Sequence, residues 1–161
     1  MHERGFTVTG SDQNVYPPMS TFLAERKINV ISGYAEQNLA HKPDLVVIGN
    51  ALSRGNPEVE AVLDKKLRYC SLPELLKEFF IRGKRSLVVA GTHGKTTTTS
   101  LIAAMLDAAD MDPTVVNGGI INAWGTNARL GTGDWLVAEA DESDGTFVKL
   151  PATIAVVTNI D

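Results

Sequence analysis

Residues 87–97 read Leu-Val-Val-Ala-Gly-Thr-His-Gly-Lys-Thr-Thr, and this stretch decides the fold. Its apolar start is typical of a strand that is buried on both faces, as in a parallel sheet. The glycines allow a tight turn in which successive N–H groups point at one phosphate. A helix that follows such a turn adds the positive end of its dipole. The stretch therefore predicts a strand, a phosphate-binding loop and a helix in succession.

The end of this stretch, Gly94-Lys95-Thr96, matches the phosphate-loop pattern, in which the lysine reaches the β- and γ-phosphates and the hydroxyl binds Mg²⁺. The strict pattern has glycine five positions before Gly94, where this chain has Val89. The alternative interpretation is a glycine turn with a surface lysine. We favour phosphate binding because the loop, the lysine, the threonine and the strand–helix context coincide. The predicted phosphate-binding residues are Gly91, Thr92, His93, Gly94, Lys95, Thr96 and Thr97.

An acidic partner for the metal is expected at the end of a neighbouring strand. Residues 135–142 read Trp-Leu-Val-Ala-Glu-Ala-Asp-Glu, so Glu139 ends an apolar run. We predict that Glu139 and Thr96 bind Mg²⁺. The alternative is a solvated acidic turn, which we favour for Asp144.

Strands alternate with helices along the chain, which predicts an α/β fold with a parallel, doubly wound sheet. The strand at residue 86 begins a second alternating unit, so we predict two domains, 1–83 and 84–161. The predicted strands cover residues 6–9, 29–32, 44–49, 86–90, 114–116, 135–139 and 153–158. The predicted helices cover residues 19–25 and 57–66, with a further helix capped by Ser71 and Glu74. A last helix is predicted to follow residues 91–99 and to run to about residue 109.

Composition excludes several classes of protein. The formal net charge is −4, which provides no general cationic field for nucleic acid or an anionic membrane. The single cysteine, Cys70, excludes an internal disulfide and a multi-cysteine zinc site, and it favours a reducing, cytoplasmic setting. No apolar run approaches the roughly 20 residues that span a bilayer, so we predict no membrane partner.

Five short motifs together resemble the Mur ligases, in particular those that act on UDP-N-acetylmuramate. The resemblance implies a Rossmann-like, UDP-binding domain at residues 1–83. It also implies that a P-loop NTPase-like central domain, which binds ATP, begins at residue 84. The motifs are Gly-Thr-His-Gly-Lys-Thr-Thr-Thr at 91–98, Asn-Gly-Gly at 117–119, Asn-Ala-Arg-Leu-Gly at 127–131, Glu-Ala-Asp-Glu-Ser-Asp at 139–144 and Thr-Asn-Ile-Asp at 158–161.

The resemblance also implies a reaction, with ATP and Mg²⁺ as its cofactors. ATP phosphorylates the lactyl carboxylate of UDP-N-acetylmuramate, and the amine of L-alanine or of a tripeptide attacks the resulting acyl phosphate. Lys95 and His93 are the implied catalytic residues. For His93 the alternative is a solvated loop histidine. The implied substrate contacts are Asp12, Asn50, Asn117, Asn127 and Arg129. For these residues the alternative is that their side chains form hydrogen bonds within loops.

Two members of the family resemble different parts of the chain. Residues 1–90 are similar to the member that recycles murein by attaching the tripeptide L-alanyl-γ-D-glutamyl-meso-diaminopimelate, whereas residues 100–161 are similar to the member that attaches L-alanine. We therefore hypothesise that the sequence joins two paralogues within residues 91–99; the alternative is an unusual natural ligase. The resemblance also leads us to expect a first strand and Gly-rich loop before Met1. After Asp161 we expect a metal-binding histidine and a C-terminal domain, and we expect no ligase activity without them.

Two other functions fit the phosphate loop. One is a stand-alone nucleotide-binding module without ligase chemistry. The other is a different phosphate-loop enzyme, such as a kinase or a folate-polyglutamate ligase.

Overall fold

A computed structural model describes residues 1–17, 19–141 and 146–160. It confirms an α/β fold with parallel sheets. The chain divides into two compact units, Met1–Ser71 and Leu72–Asp161. The acidic residues Glu142 and Asp144, and Asp161 of the last motif, lie outside the described residues. No helix in the described ranges is long and apolar enough to cross a bilayer.

The first unit contains two parallel two-stranded sheets, β1–β2 and β3–β4. The strand predicted at residues 6–9 lies three residues later, because Thr9 to Asp12 form the ladder with β2. The three-residue strand β4 was not predicted. The elements are β1 (Thr9–Asp12), α1 (Met19–Glu25), β2 (Asn29–Ser32), β3 (Val46–Ile48), α2 (Pro57–Asp64) and β4 (Tyr69–Ser71), with 3₁₀ turns at His2–Arg4 and Glu36–Leu39.

Helix α2 begins where the sequence favours a helix start. The side chain of Asn56 accepts hydrogen bonds from the backbone N–H groups of Glu58 and Val59, and Pro57 occupies the first turn, where its missing N–H costs nothing. The helix buries Ala61 and Val62 against Leu39 of the second 3₁₀ turn. This small core holds β3 in the first unit, since Val46 and Ile48 pack against it.

The second unit contains a five-stranded sheet in the order β7-β6-β8-β5-β9. All neighbours are parallel except β6 and β7, which form an antiparallel pair. Strand β7 was not predicted, and β6 is longer than predicted. The strands are β5 (Arg85–Ala90), β6 (Thr114–Ile121), β7 (Thr126–Arg129), β8 (Trp135–Glu139) and β9 (Ile154–Val157). The helices are α3 (Leu72–Leu76), which continues as a π-helical turn (Lys77–Ile81), α4 (Lys95–Ala108) and α5 (Thr146–Lys149).

Helices cover both faces of this sheet. On one face, Leu76 and Ile81 pack against Val88, Leu136 and Ala138. On the other face, Ala103 of α4 packs against Val115 and Val137. These contacts explain why residues 72–81 belong to the second compact unit. The domain limits predicted at residues 83 and 84 stay a prediction.

The strand register brings several strand ends to one edge of the sheet. Val89 of β5 pairs with Glu139 of β8, and Ala90 pairs with Val157 of β9. On the other side of β8, Ala138 pairs with Val116 of β6. The carboxyl-terminal edge of a parallel sheet is where α/β folds bind ligands.

Candidate phosphate-binding site

The loop between β5 and α4 turns at two glycines with positive φ. Gly91 has φ +128° and Gly94 has φ +81°, and side chains other than hydrogen are strained at both values. Gly94 directly precedes the first residue of α4. The first N–H groups of α4, which have no partner inside the helix, therefore lie at the carboxyl edge of the sheet.

The ammonium group of Lys95 lies over this loop. Its Nζ donates a hydrogen bond of 2.7 Å to the carbonyl oxygen of Gly91 and lies 3.5 Å from that of Thr92. Lys95 is half-buried, whereas Thr92, His93 and Thr97 are exposed. The chain thus places a cation beside the N–H groups of the loop, and both attract an anion.

Thr96 and Glu139 face each other at this edge. The hydroxyl of Thr96 lies 3.1 Å and 3.0 Å from the two carboxylate oxygens of Glu139. The N–H of Gly118 donates a further hydrogen bond of 2.8 Å to the same carboxylate. Glu139 is half-buried. Two oxygen-bearing side chains from different elements are therefore held together next to the loop.

Two consecutive glycines make this arrangement possible. A Cβ atom on Gly118 would lie 2.8 Å from Oε2 of Glu139, and one on Gly119 would lie 2.9 Å from Cγ2 of Thr96. The pairing of β6 with β7 shifts register between Val116 and Ile121, so this part of β6 leaves the regular ladder. A larger residue at position 118 or 119 would displace Glu139 or Thr96.

The residues present suit Mg²⁺. This ion prefers hard oxygen ligands and is commonly bound through one or two protein groups together with phosphates and waters. A hydroxyl and a carboxylate within 3.1 Å of each other provide that donor set. Among the described residues, no group of three or more His, Cys, Asp or Glu could hold a metal ion by itself. The site thus fits a metal ion that is bound by these two side chains together with the oxygens of a phosphate group.

Asn117 is buried beneath the site, with 4% of its surface exposed. Its Nδ2 donates to the hydroxyl of Ser100 at 3.0 Å and to the carbonyl of Gly119 at 2.9 Å. Ser100 in turn donates to the carbonyl of Thr96 at 2.7 Å. The Oδ1 atom of Asn117 is buried without a hydrogen-bond partner among the described residues. Asn117 therefore links β6 to the first turn of α4, and its predicted substrate contact stays a prediction.

Arg129 lies away from the loop. Its guanidinium pairs with Asp107 at 2.6 Å and with Asp112 at 2.5 Å, and it stacks on the ring of Trp124 at 4.8 Å. Hydrogen bonding to Asp107 is the largest of the effects that raise the pKa of Arg129. Asp107 lies twelve residues after Lys95 in α4, about 18 Å along the helix axis.

The structure therefore does not bring Arg129 to the phosphate loop. Asn127 is half-buried in β7 and directly follows Thr126, which pairs with Ile121 of β6. Contacts of Arg129 and Asn127 with a substrate stay predictions.

The remaining predicted residues, Asp12 and Asn50, belong to the first unit. Asp12 ends β1, and its carboxylate accepts hydrogen bonds from the N–H of Asn14 at 3.2 Å and the hydroxyl of Tyr34 at 3.4 Å. It lines an open cleft of about 410 Å³ together with Tyr16. Asn50 is exposed, two residues after the end of β3. Both lie where strands of a parallel sheet end, and their contact with a nucleotide stays a prediction.

Three residues at the second-unit site had no role assigned from the sequence. Gly118 belongs to the Asn-Gly-Gly motif, and Thr158 and Asn159 belong to the last motif. Thr158 and Asn159 both contact His93. The two motifs were the signal in the sequence that could have identified these residues. Their position beside the loop depends on the strand register, which the motifs do not reveal.

Two family models match the chain. The model for the Mur ligase family, catalytic domain, matches residues 1–84, and the model for the Mur ligase middle domain matches residues 89–161. Among curated proteins, the UDP-N-acetylmuramate–L-alanine ligase of Brucella ovis is 53% identical over all 161 residues, and that of Methylobacterium sp. is 54% identical. The chain spans 34% of the length of these relatives.

Solved structures give the same family. The UDP-N-acetylmuramate:L-alanyl-gamma-D-glutamyl-meso-diaminopimelate ligase from Neisseria meningitides is 38% identical with a TM-score of 0.91, over 99% of this chain and 54% of that chain. The UDP-N-acetylmuramate-alanine ligase from Thermotoga maritima is 28% identical with a TM-score of 0.89, over 99% of this chain and 37% of that chain. The continuous match to single relatives gives no support to a join of two paralogues within residues 91–99.

Proposed function

The chain belongs to the Mur ligase family, and from that premise we propose that it provides the ATP-binding part of an amide-forming ligase. The ligase joins the carboxylate of UDP-N-acetylmuramate to the amine of L-alanine or of the tripeptide L-alanyl-γ-D-glutamyl-meso-diaminopimelate. Its product is a precursor of the peptidoglycan cell wall, made or recycled in the cytoplasm. The observation that carries the proposal is the pairing of Thr96 with Glu139 beside Lys95 and the glycine loop.

The two-step chemistry explains the need for this site. A carboxylate oxygen attacks the γ-phosphorus of ATP, the bond to the bridging oxygen breaks, and ADP leaves. The amine nitrogen then attacks the carbonyl carbon of the acyl phosphate, loses a proton and expels inorganic phosphate, which leaves an amide. Catalysis of the first step consists mostly of positioning and charge neutralisation.

Four residues at this site have a role in that first step. The N–H groups at the start of α4 and the ammonium of Lys95 bind the phosphate oxygens and offset the charge that develops on them. Thr96 and Glu139 would hold Mg²⁺, which would neutralise charge on the phosphates. The exposed imidazole of His93 lies in the loop, where it can contact the transferred phosphate or the acyl substrate.

The identity of the amine is supported by sequence similarity. Curated relatives at 53–54% identity are named as L-alanine ligases, whereas the tripeptide ligase of known structure is 38% identical. We therefore propose L-alanine ahead of the tripeptide. Asp12 and Asn50 of the first unit are proposed to face the uridine diphosphate.

The test replaces the matching third of the Brucella ovis ligase with this chain and measures phosphate release. We expect release that requires ATP, UDP-N-acetylmuramate and L-alanine together. Lys95→Ala should reduce turnover roughly 100-fold or more, as for the loss of a group that stabilises transition-state charge. The hybrid could instead fold without any turnover while the isolated 161-residue chain still binds MgATP. That result would support a nucleotide-binding module without ligase activity.

A further inference from the structure

The segment that follows β9 runs beside the phosphate loop. Strands β5 and β9 are parallel neighbours, and their last pair is Ala90 with Val157. The next residues, Gly91 and Thr158, therefore leave the sheet side by side. The N–H of Thr158 donates to the carbonyl of Ala90 at 3.0 Å and extends the ladder by one bond. This segment is close enough to act on the conformation of the loop.

Two consecutive side chains of the segment hold the backbone of His93. The hydroxyl of Thr158 donates to the carbonyl oxygen of His93 at 2.6 Å. The side-chain oxygen of Asn159 accepts a hydrogen bond from the N–H of His93 at 2.9 Å. The backbone N–H and the backbone C=O of one loop residue are thus both bound by side chains that lie 65 and 66 residues further along the chain.

The loop is closely fitted to this segment. A Cβ atom on Gly91 would lie 2.2 Å from the hydroxyl oxygen of Thr158 and 3.0 Å from the backbone nitrogen of Asn159. Thr158 also lies 3.2 Å from the carbonyl oxygen of Ala90, so its hydroxyl bridges the two sides of the turn. Glycine at position 91 is required by this approach as well as by its φ of +128°.

We propose that Thr158 and Asn159 are positioning residues for phosphate binding. By fixing the peptide groups on either side of His93, they set the directions of the N–H groups that follow it in the loop, those of Gly94 and Lys95. A glycine-containing loop otherwise loses much conformational freedom when it binds an anion. Holding it in place before binding reduces that cost. The inference rests on the proposed function, because it assumes that this loop binds nucleotide phosphates.

The experiment compares Thr158→Val with Thr158→Ser in the 161-residue chain. Valine keeps the shape of threonine without the hydroxyl, whereas serine keeps the hydroxyl. Calorimetric titrations measure the Kd for MgADP and for magnesium pyrophosphate, and circular dichroism measures the Tm of each variant. Asn159→Ala provides a second test, because it removes the acceptor for the N–H of His93 and leaves Thr158 unchanged.

We expect Thr158→Val and Asn159→Ala each to raise both Kd values roughly 2- to 10-fold, the equivalent of one neutral hydrogen bond. Thr158→Ser should stay within about 2-fold of the wild type. Equal weakening by valine and serine, or unchanged affinity in both Thr158→Val and Asn159→Ala, would overturn the inference while leaving the proposed function intact. If the folded wild-type chain binds neither MgADP nor magnesium pyrophosphate, the proposed function itself fails, and the inference fails with it.

Discussion

The hydroxyl of Thr96 lies within 3.1 Å of both carboxylate oxygens of Glu139, although the two residues are 43 positions apart. Thr96 is in the first turn of α4, and Glu139 is the last residue of β8. The register of β8 with β5 sets this distance, since Val89 of β5 pairs directly with Glu139. A metal that binds the hydroxyl of Thr96 and the carboxylate of Glu139 would connect the phosphate loop to the neighbouring strand.

Glu139→Gln should weaken the binding of the Mg²⁺ that supports nucleotide binding. The amide keeps one oxygen but loses the negative charge that attracts the ion. Titrating MgCl₂ at fixed ADP should give a midpoint roughly 10-fold higher than for the wild type, the equivalent of about 1.4 kcal/mol. Glu78→Gln is the matched control, because Glu78 forms an exposed ion pair with Arg82. Equal Mg²⁺ midpoints for Glu139→Gln and Glu78→Gln would exclude Glu139 as a metal ligand.

Gly118→Ala should displace the carboxylate of Glu139, because the new Cβ atom would lie 2.8 Å from Oε2. Because Gly118 is exposed and the new atom meets the far end of the Glu139 side chain, the carboxylate can shift at little cost to stability. We expect a nearly unchanged Tm and weaker Mg²⁺-dependent binding of ADP. Glu139→Asp shortens the side chain by one methylene, so the double variant should be less impaired than the sum of the single effects. Strict additivity of the two substitutions would show that Gly118 and Glu139 are not in contact.

Asp112→Asn should lower stability at neutral pH but not in acid. The backbone N–H of Thr132 and then its hydroxyl are the main causes that lower the pKa of Asp112, with a smaller effect from Arg129. A folded-state pKa that is depressed stabilises the fold above the ordinary aspartate pKa, and the gain is lost as the pH falls through the folded value. The urea midpoint of the variant should therefore lie below that of the wild type at pH 7.

The difference in urea midpoint should shrink as the pH is lowered to roughly 3 and below. Asp110→Asn is the control, because Asp110 is exposed and lies two residues before Asp112 in the same connection between α4 and β6. A difference between wild type and Asp112→Asn that is the same at both pH values would contradict a depressed pKa at this carboxylate.

Asn117→Leu should destabilise the second unit strongly, because it leaves the hydroxyl of Ser100 and the carbonyl of Gly119 without their amide donor. Unsatisfied buried polar groups cost about 1–3 kcal/mol each. Asn117→Asp keeps the size of the side chain but replaces the donor with a buried charge, and it should be at least as destabilising. Thermal unfolding of both variants measures this. A Tm within 1–2 °C of the wild type for Asn117→Leu would show that the link from β6 to α4 contributes little (about 1 kcal/mol shifts Tm by several degrees in a domain of this size).

The fold of the second unit could be predicted from local sequence where burial leaves a strong pattern. Strand β8 was predicted with its observed limits, because a continuous apolar run marks it. The end of α4 was predicted within one residue, but α4 begins at Lys95, earlier than predicted, because it starts directly after the turn at Gly94. Strand β7, Thr126–Arg129, is mostly polar and exists through its pairing with β6, so no local pattern indicated it. The shift of β1 has the same cause, since polar residues 9–12 form the ladder through backbone groups.

The candidate site was predictable in part for similar reasons. Lys95 and Thr96 follow from the loop motif, and Glu139 follows from its position at the end of an apolar strand. The contacts of Thr158 and Asn159 with His93 depend on which strand lies beside β5, which the sequence pattern does not reveal. The pairing of Arg129 with Asp107 and Asp112 likewise depends on the antiparallel pairing of β7 with β6.

The most direct test of the central claim is a calorimetric titration of MgATP into the folded 161-residue chain and its Lys95→Ala variant. The account predicts saturable binding with one nucleotide per chain. Binding should be weakened roughly 10- to 100-fold by Lys95→Ala, as for the loss of a hydrogen bond to a charged group. Lys65→Ala, which removes an exposed ion pair with Glu36, should bind like the wild type. Equal affinity of the wild type and Lys95→Ala for MgATP would contradict the assignment of this loop as the nucleotide-phosphate site.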